Sequence, residues 1–446
     1  MGILKTFSVG GVHPPENKLS ADQAIEVLPL PKQAFIPLNQ NLGAPGVAQV
    51  QKGDVIKVGQ LLAKGEAFIS SNVHSPVSGK VLKIDNVMDP SGYRRPAVVV
   101  NVDGDEWVDG IDRTDTLVKE IKLSQKEIVE KIHQLGIVGL GGATFPSHVK
   151  LMVPEGKTAD VLIINGVECE PYLTADHRLM IEKGDEVMVG TTILMKGLGV
   201  ERAIIGIENN KPDAIKNMTE LAGKYKGIEV CPLKVKYPQG GEKQLIKATI
   251  KREVPSGKLP IEVGAVVNNV GTAFAVYEAV QKNKPLIERV VTITGKSVAK
   301  PGNFMVRIGT PIRELIEKAG GLPEDSGKMI GGGPMMGKAL LSMDTPVVKG
   351  SSGILILRES ESKRVDVKNC IRCARCVSVC PMGLEPVLLA QLAEMEMWEE
   401  SEQENVMDCI ECGSCHYTCP SGRPLLDYIR LGKNKVGQII RNRGKK

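Results

Sequence analysis

Apolar residues recur along the chain in distinct rhythms, and each predicts a different kind of element. Over residues 35–102 the runs GDVIKVGQLLAKGE, SNVHSPVSGKVLKI and PAVVVNV are short, β-rich and broken by Gly, Pro and Asn, the punctuation of a small β-sandwich or barrel. A helical rhythm follows. Ile128, Ile132 and Leu135 recur at i, i+4 and i+7 behind a Ser124/Glu127 capping box, and Gly136 supplies the stop. From residue 161 onward, apolar runs at 161–164, 203–207, 228–233 and 265–267 alternate with helical stretches such as 212–224 and 272–281. That alternation predicts βαβ units around a parallel sheet.

Two further segments have their own patterns. Residues 289–345 carry the strand-like runs RVVTITG and FMVRIGT, then a helix over 311–319 closed by Gly320 and Gly321, then IGGGPMMG, read as tight turns. Between Cys380 and Cys409 a helix begins at Pro386 with Leu388, Leu392 and Met395 on one face. Glu394, Glu396, Glu399, Glu400, Glu402 and Glu404 are placed on its solvent side. Residues 1–30 read as irregular, because Gly10, Gly11, Pro14 and Pro15 break any helix. The chain is therefore expected to divide at 1–30 (irregular), 31–115 (β module), 120–285 (α/β domain), 286–350 (small mixed unit), 360–430 (cysteine-rich helical domain) and 431–446 (basic tail).

Composition narrows the class. No apolar run approaches the roughly 18 residues that a bilayer span requires, and residues 1–12 lack a signal-peptide core. A soluble chain with no transmembrane segment of its own is the expectation. The net charge of +5 is concentrated at one end: seven Lys or Arg and no acid follow from Arg430 onward, including Lys445 and Lys446, while the rest holds 50 basic against 52 acidic residues. Such a tail reads as a solvated end or as a contact for anionic lipid or an acidic partner. Nucleic acid is not expected, since only 3% of the chain is aromatic and no base-reading motif accompanies the charge.

The cysteines supply the first chemistry. Cys370, Cys373, Cys376 and Cys380 precede Pro381, and Cys409, Cys412, Cys415 and Cys419 precede Pro420. Both runs read C-x-x-C-x-x-C-x-x-x-C-P, in which three cysteines hold one iron–sulfur cluster and the fourth ligates the other. The spacing therefore predicts two [4Fe-4S] clusters, one on Cys370, Cys373, Cys376 and Cys419, the other on Cys409, Cys412, Cys415 and Cys380. Zinc is the competing occupant of Cys-x-x-Cys pairs, but its sites need four ligands and not two matched runs closed by proline. Only Cys169 and Cys231 remain, so the chain is no disulfide framework and suits a reducing compartment.

A second candidate site lies upstream. Gly139-Leu140-Gly141-Gly142-Ala143-Thr144-Phe145-Pro146, with Lys150 after it, can bring backbone N–H groups and a positive charge to a phosphate. Two of the predicted strands end in polar turns, Asn165 to Pro171 through Glu168 and Glu170, and Asn268-Asn269-Val270-Gly271-Thr272. Ligands of parallel sheets collect at such strand ends. Asparagine can donate to and accept from a heterocycle edge, although Asn and Thr are also ordinary helix caps.

These motifs carry family resemblances. GDVIKVGQ and SPVSGKV resemble the lipoyl and biotinyl carrier fold, yet the intervening tip FISSNV holds no lysine, which leaves that module a structural or contact role. GLGGATFP with Lys150, NGVECEP and VVNNVGT resemble the flavin and NADH loops of the NADH-binding flavoprotein subunit of respiratory complex I. The resemblance implies FMN held by the glycine loop, Lys150, Asn165, Glu168, Asn268, Asn269 and Thr272, with NADH near Phe145 and Glu170 and an acidic contact from Glu242 in the GGEKQL turn. Val167 stands where that family carries an aspartate, and the region around Pro255 lacks an adenine-stacking aromatic. Residues 289–345 resemble the β-grasp (SLBB-type) unit of the same family, and the long segment between the cysteine runs suggests an α-helical two-cluster ferredoxin domain.

The whole combination, with GGVHPPE ahead of it, resembles the C-subunit family of Rnf complexes. The expected fold is multi-domain α/β: a barrel-sandwich module, a Rossmann-like FMN/NADH domain, a β-grasp unit and a dicluster domain. The implied function is electron transfer between NAD(H), FMN, two clusters and a ferredoxin-like iron–sulfur subunit, within a ferredoxin:NAD+ oxidoreductase on the cytoplasmic side of a membrane that moves Na+ or H+. Alternatives are a relay subunit that has lost its flavin, or the flavoprotein subunit of a soluble dehydrogenase or hydrogenase.

Overall fold

The computed structural model describes residues 4–444, so Lys445 and Lys446 of the basic run lie outside the described residues. The N-terminal β module is a sandwich. One sheet orders Gln33–Pro37, Arg94–Val102, Gly79–Met88 and Val55–Ile56, and the other Val47–Ala48, Leu61–Lys64 and Val73–His74. Ala34, Ile36, Leu62, Val81, Val98 and Val100 point inward from these strands and, with Val77 from the loop before Gly79–Met88, fill one core.

The α/β domain is built on a parallel sheet ordered Ile228–Leu233, Ala203–Glu208, Val161–Asn165, Ala265–Asn269. Its strands read as continuous apolar runs because both faces are covered. Helices Gly184–Leu198 and Val270–Lys282 lie together on one side, so close that a Cβ on Gly190 would meet the Ala273 carbonyl oxygen at 1.9 Å. Leu245, Ile246 and Ala248 of helix Glu242–Ile250 close the other side. The chain leaves Val161–Asn165 in one direction for two strands and returns on its opposite flank for Ala265–Asn269. The switch point of the topology is the crevice between those last two strands, where ligands of such sheets bind.

The third unit is a six-stranded mixed sheet carrying helix Ile312–Lys318. It corrects two expected boundaries. Gly353–Arg358 pairs with Glu288–Thr294 and Ser326–Gly331, so the unit runs past residue 350. Ile25–Val27 adds in parallel to Gly302–Arg307, and Lys5 and Val12 bridge to Leu233 and Tyr237. The first 30 residues are thus a strap across two domains, held by long-range backbone pairing that local sequence does not encode.

In the C-terminal domain, helices Pro386–Glu394 and Leu425–Arg443 pack through Leu389, Ala390, Leu425, Ile429 and Val436. Leu389, Ala390, Leu392 and Ala393 form the buried face of the first helix; Met395, expected there, is its exposed C-cap. The basic run is not a separate tail. Up to Arg443 it is the end of a 19-residue helix, because Leu425, Leu426, Ile429 and Val436 form an apolar stripe and Gly432 lets Ala393 approach. Arg430 and Lys433 pair with Glu411, and Arg443 with Glu402. Among the described residues, no helix is long and apolar enough to cross a membrane.

Lys349 joins three of these parts. Its side chain is almost wholly buried and its ammonium donates to the carbonyls of Asn72 and Gly136, each at 2.7 Å. Burial holds it down to about 7 from an ordinary value of 10.5. Between those values the unfolded chain binds more protons than the folded one, so this group makes stability rise with pH across that window. Thermal unfolding midpoints of the native chain are expected to gain on those of Lys349→Met between pH 7 and 10; a constant difference would show that the buried amine does not titrate there.

Candidate functional sites

The glycine loop sits at the switch-point crevice. Gly139 N donates to Phe145 O at 2.9 Å, which closes the loop, and Leu140 N donates to Thr272 Oγ1 at 2.9 Å, which anchors it to the start of helix Val270–Lys282. Gly141 must lack a side chain, because a Cβ there would stand 2.8 Å from Asn269 Nδ2, whereas Gly142 faces open space. Thr144 holds a left-handed φ of 54° and its carbonyl accepts from Leu42 N of the β module. Phe145 is half-buried, and Ala143 is exposed beside it.

The polar turns divide into residues whose hydrogen bonds are spent and one whose bonds are not. Asn269 caps its helix by accepting from Gly271 N at 2.8 Å and donates to Asp176 Oδ2 at 2.7 Å. Asn165 donates to Gly240 O and accepts from Val167 N. Glu168, at φ 48°, accepts from Asp176 N and His177 N and so caps the next helix. Asn268 Nδ2 is buried at the same strand end with no protein partner. An amide donor left this way is costly unless something else accepts from it. Lys150 Nζ donates to Glu242 Oε1 and to Val267 O, each at 2.9 Å. Glu242 is the first residue of helix Glu242–Ile250 and not part of a turn, since Gly241 acts as the cap.

Glu170 lies in a different environment from the one the sequence suggests. Its carboxylate accepts from Met335 N at 3.1 Å and Met336 N at 2.8 Å, in the IGGGPMMG turn of the β-grasp unit. Gly333 is glycine because a Cβ there would fall 2.2 Å from Glu170 Oε2. Burial pushes the Glu170 carboxyl up. Val167, the departure from the aspartate pattern, is fully buried in the core beneath the sheet, and its carbonyl accepts from Lys211 Nζ. Sequence reasoning missed Asp176, whose carboxyl is pushed up to about 7 by burial, as well as Lys18, Lys211 and Tyr237. Their only signal is a polar side chain within a folded interior, which spacing does not reveal.

In the cysteine-rich domain, Cys380 lines one cavity together with Cys409, Cys412 and Cys415, walled by Leu384, Leu389, Leu426 and Ile429. That is the crossed set. Cys376 has Cys419 for its neighbouring thiol in the other set. The thiols of the crossed set line one space between apolar side chains. Backbone geometry repeats between the two runs. Arg372 and Glu411, two residues after Cys370 and Cys409, hold left-handed φ values and direct their N–H groups to those sulfurs at 3.4 Å. Such N–H contacts tune iron–sulfur clusters. Apolar walls, sulfur ligands and N–H donors fit a cluster.

The two sites are physically joined. Tyr237 OH donates to Cys412 O at 2.8 Å, and Gln244 Nε2 donates to Pro381 O at 3.3 Å. Ser256 Oγ and Gly257 N both reach Asp408, next to Cys409.

A switch-point α/β domain bonded to a two-motif cysteine domain defines the class of flavin- and iron–sulfur-dependent electron-transfer proteins. Residues 132–278 match the family described as Nuo51 FMN-binding domain, 5–105 the RnfC Barrel sandwich hybrid domain, 290–339 the SLBB domain and 362–420 the 4Fe-4S dicluster domain. The chain is 49% identical over 400 residues to the C-subunit of the proton-translocating ferredoxin:NAD(+) oxidoreductase complex of Clostridium ljungdahlii, covering 89% of this chain and 86% of that one. It is 43% identical over 428 residues to the C-subunit of the Na(+)-translocating ferredoxin:NAD(+) oxidoreductase complex of Acetobacterium woodii, covering 96% of both. Against the C-subunit of the ion-translocating oxidoreductase complex of Rhodobacter capsulatus it is 41% identical, covering 86% and 74%. The chain belongs to this C-subunit family. An NAD+-reducing [NiFe]-hydrogenase in the H2-reduced state shares the fold, with a TM-score of 0.50 and 16% identity over 70% of this chain and 63% of that one.

Replacing Cys419 by Ser is expected to remove the cluster built on Cys370, Cys373 and Cys376 and to spare the one in the Cys380 cavity. Iron analysis with electron paramagnetic resonance checks this, and loss confined to the Cys409 set would reverse the crossed assignment.

Proposed function

We propose that this chain is the NAD(H)-facing electron-transfer subunit of a membrane-bound ferredoxin:NAD+ oxidoreductase complex coupled to Na+ or H+ translocation. The observation that carries the reading is one continuous chain with a switch-point crevice, a buried amide without a partner at Asn268, and a cysteine-lined cavity bonded to the same domain through Tyr237. NAD(H) exchanges two electrons as hydride and a cluster one at a time, and bound FMN supplies the chemistry that handles both.

The residues of the chain would bind and orient. Gly139, Gly141, Gly142, Ala143 and Thr144 let the loop backbone come close to a phosphate, and Lys150 adds positive charge beside the end of Ala265–Asn269. The free Nδ2 of Asn268 would donate to an acceptor on the ring edge, while Asn165, Asn269, Glu168 and Thr272 hold the loops around it. Phe145 would flank the dinucleotide, and Glu170 would fix the rim of the site through the β-grasp turn. No side chain need act as acid or base.

Kinship with subunits of ion-translocating complexes supports a peripheral seat on the membrane. Eight thiols reserved for iron suit the reducing, cytoplasmic side.

The test uses the full chain with its iron restored anaerobically. FMN released on denaturation, together with NADH-dependent reduction of an artificial acceptor, is the expected result. Clusters with neither would leave only the relay role. Lys150→Ala is expected to weaken FMN retention about tenfold or more, the worth of one charge-assisted hydrogen bond, with iron content unchanged. Equal loss of flavin and iron would assign the lysine to folding.

A further inference from the structure

We infer that the two cluster sites have fixed and opposite places in the route, the Cys380 set inward against the flavin domain and the Cys370 set outward, and that residues 363–375 form the docking face for an acidic iron–sulfur protein. This rests on the function proposed above and adds to it the order of the sites and the surface by which electrons enter or leave.

The two cysteine runs share one spacing and one backbone conformation, so any difference in exposure comes from what the rest of the chain places around them. Cys412 and Cys415 are 7% and 8% exposed, and the Cys412 carbonyl is held by Tyr237 of the flavin domain. Val12, Tyr237 and Cys412 share an apolar cluster with Cys169, in the polar turn that follows Val161–Asn165. Every residue from 363 to 375 is exposed, by contrast, Cys370 and Cys373 among them. The stretch is anchored beside the other ligand, Cys419, by Lys368 N donating to Ser421 O at 2.9 Å.

Its chemistry is that of an interface. Val365, Val367 and Ile371 are 71%, 58% and 68% exposed, an apolar content that a surface loop does not need for solubility. Five basic residues and one acid share the same thirteen positions. Lys363 and Arg364 are paired with Glu359 and Asp427, but among the described residues Lys368, Arg372 and Arg375 enter no ion pair. Uncompensated positive charge around apolar residues selects an acidic partner and speeds its encounter. A face with cluster ligands at its centre fits a redox protein and not a lipid surface, which neither donates nor accepts an electron. With a cluster held by Cys370, Cys373, Cys376 and Cys419, the transfer would move one electron with no bond made or broken and no proton released, the partner's cluster being oxidised as this one is reduced, or the reverse.

The test is binding of the iron-restored full chain to an acidic two-cluster ferredoxin at two ionic strengths. The double variant Lys368→Glu/Arg375→Glu is expected to bind at least about tenfold more weakly at low salt, with the gap narrowing at high salt as screening grows. Lys435→Glu/Arg441→Glu makes the same charge change on the terminal helix and is expected to bind like the native chain. Val367→Ser keeps all charges and is expected to weaken binding at both salt levels. Iron content and NADH-driven reduction of an artificial acceptor, measured on each preparation, remain at native levels, so a failure of the flavin reading would appear there and not in binding. Equal affinity of the native and Lys368→Glu/Arg375→Glu chains overturns the proposal. So does a double variant that loses binding to anionic phospholipid vesicles while keeping its binding to the ferredoxin.

Discussion

A knot of buried polar groups around residues 168–173 holds the parts of this molecule in register. Lys18, from the N-terminal strap, donates to the carbonyls of Glu168, Glu170 and Leu173 at 2.6–2.9 Å. Glu170 accepts from the two N–H groups of the β-grasp turn, and the Tyr237 hydroxyl, within reach of Glu170, donates a hydrogen bond to Cys412 O. Strap, flavin-type domain, β-grasp unit and cluster domain thus meet within one turn of chain. Burying so many charged groups is costly unless each is satisfied, and burial lowers Lys18 to about 8 while raising Glu170. The benefit is specificity of arrangement, since a loosened knot would leave several buried groups without partners at once.

That arrangement explains why residues expected to touch a ligand are mostly engaged with protein. Asn165, Glu168, Asn269 and Thr272 form a second layer that shapes the crevice, and the unspent donor is Asn268. Preorganisation of this kind spares a bound group the cost of ordering its own site. The arrangement also places the two cysteine sets unequally, one sealed against the knot and the other on the surface.

What the sequence reveals and what it hides follow from chain separation. Cysteine spacing, the capping box at Ser124 and Glu127 and the four apolar strand runs are local properties, and all are legible. The fold class and the cluster motifs therefore emerge directly from the residues. Partners more than a hundred positions apart are a different matter. Nothing near Glu170 in the chain points to Met335, nothing near Ile25–Val27 points to Gly302–Arg307, and the buried amine of Lys349 is indistinguishable from a surface lysine. The basic C-terminal run misleads because charge is read more easily than the stripe Leu425, Leu426, Ile429 and Val436 beneath it.

The N-terminal module shows how a fold can keep its shape while its tip takes another role. A carrier domain of this type works by swinging, which demands a free tip with an attachment lysine. Here the tip is tied down: Asn72 Nδ2 donates to Gln134 O at 3.0 Å, Asn72 O accepts from Lys349, and Ala44 N bonds Ile69 O so that the neighbouring Leu42 can donate to Thr144 O in the glycine loop. A tether at both ends of the tip removes the motion a carrier needs. It also immobilises Thr144, whose left-handed backbone costs conformational energy that must be met by contacts outside the loop. The missing lysine and the tethered tip therefore agree: this module acts as a brace on the glycine loop at Thr144 and not as a moving arm.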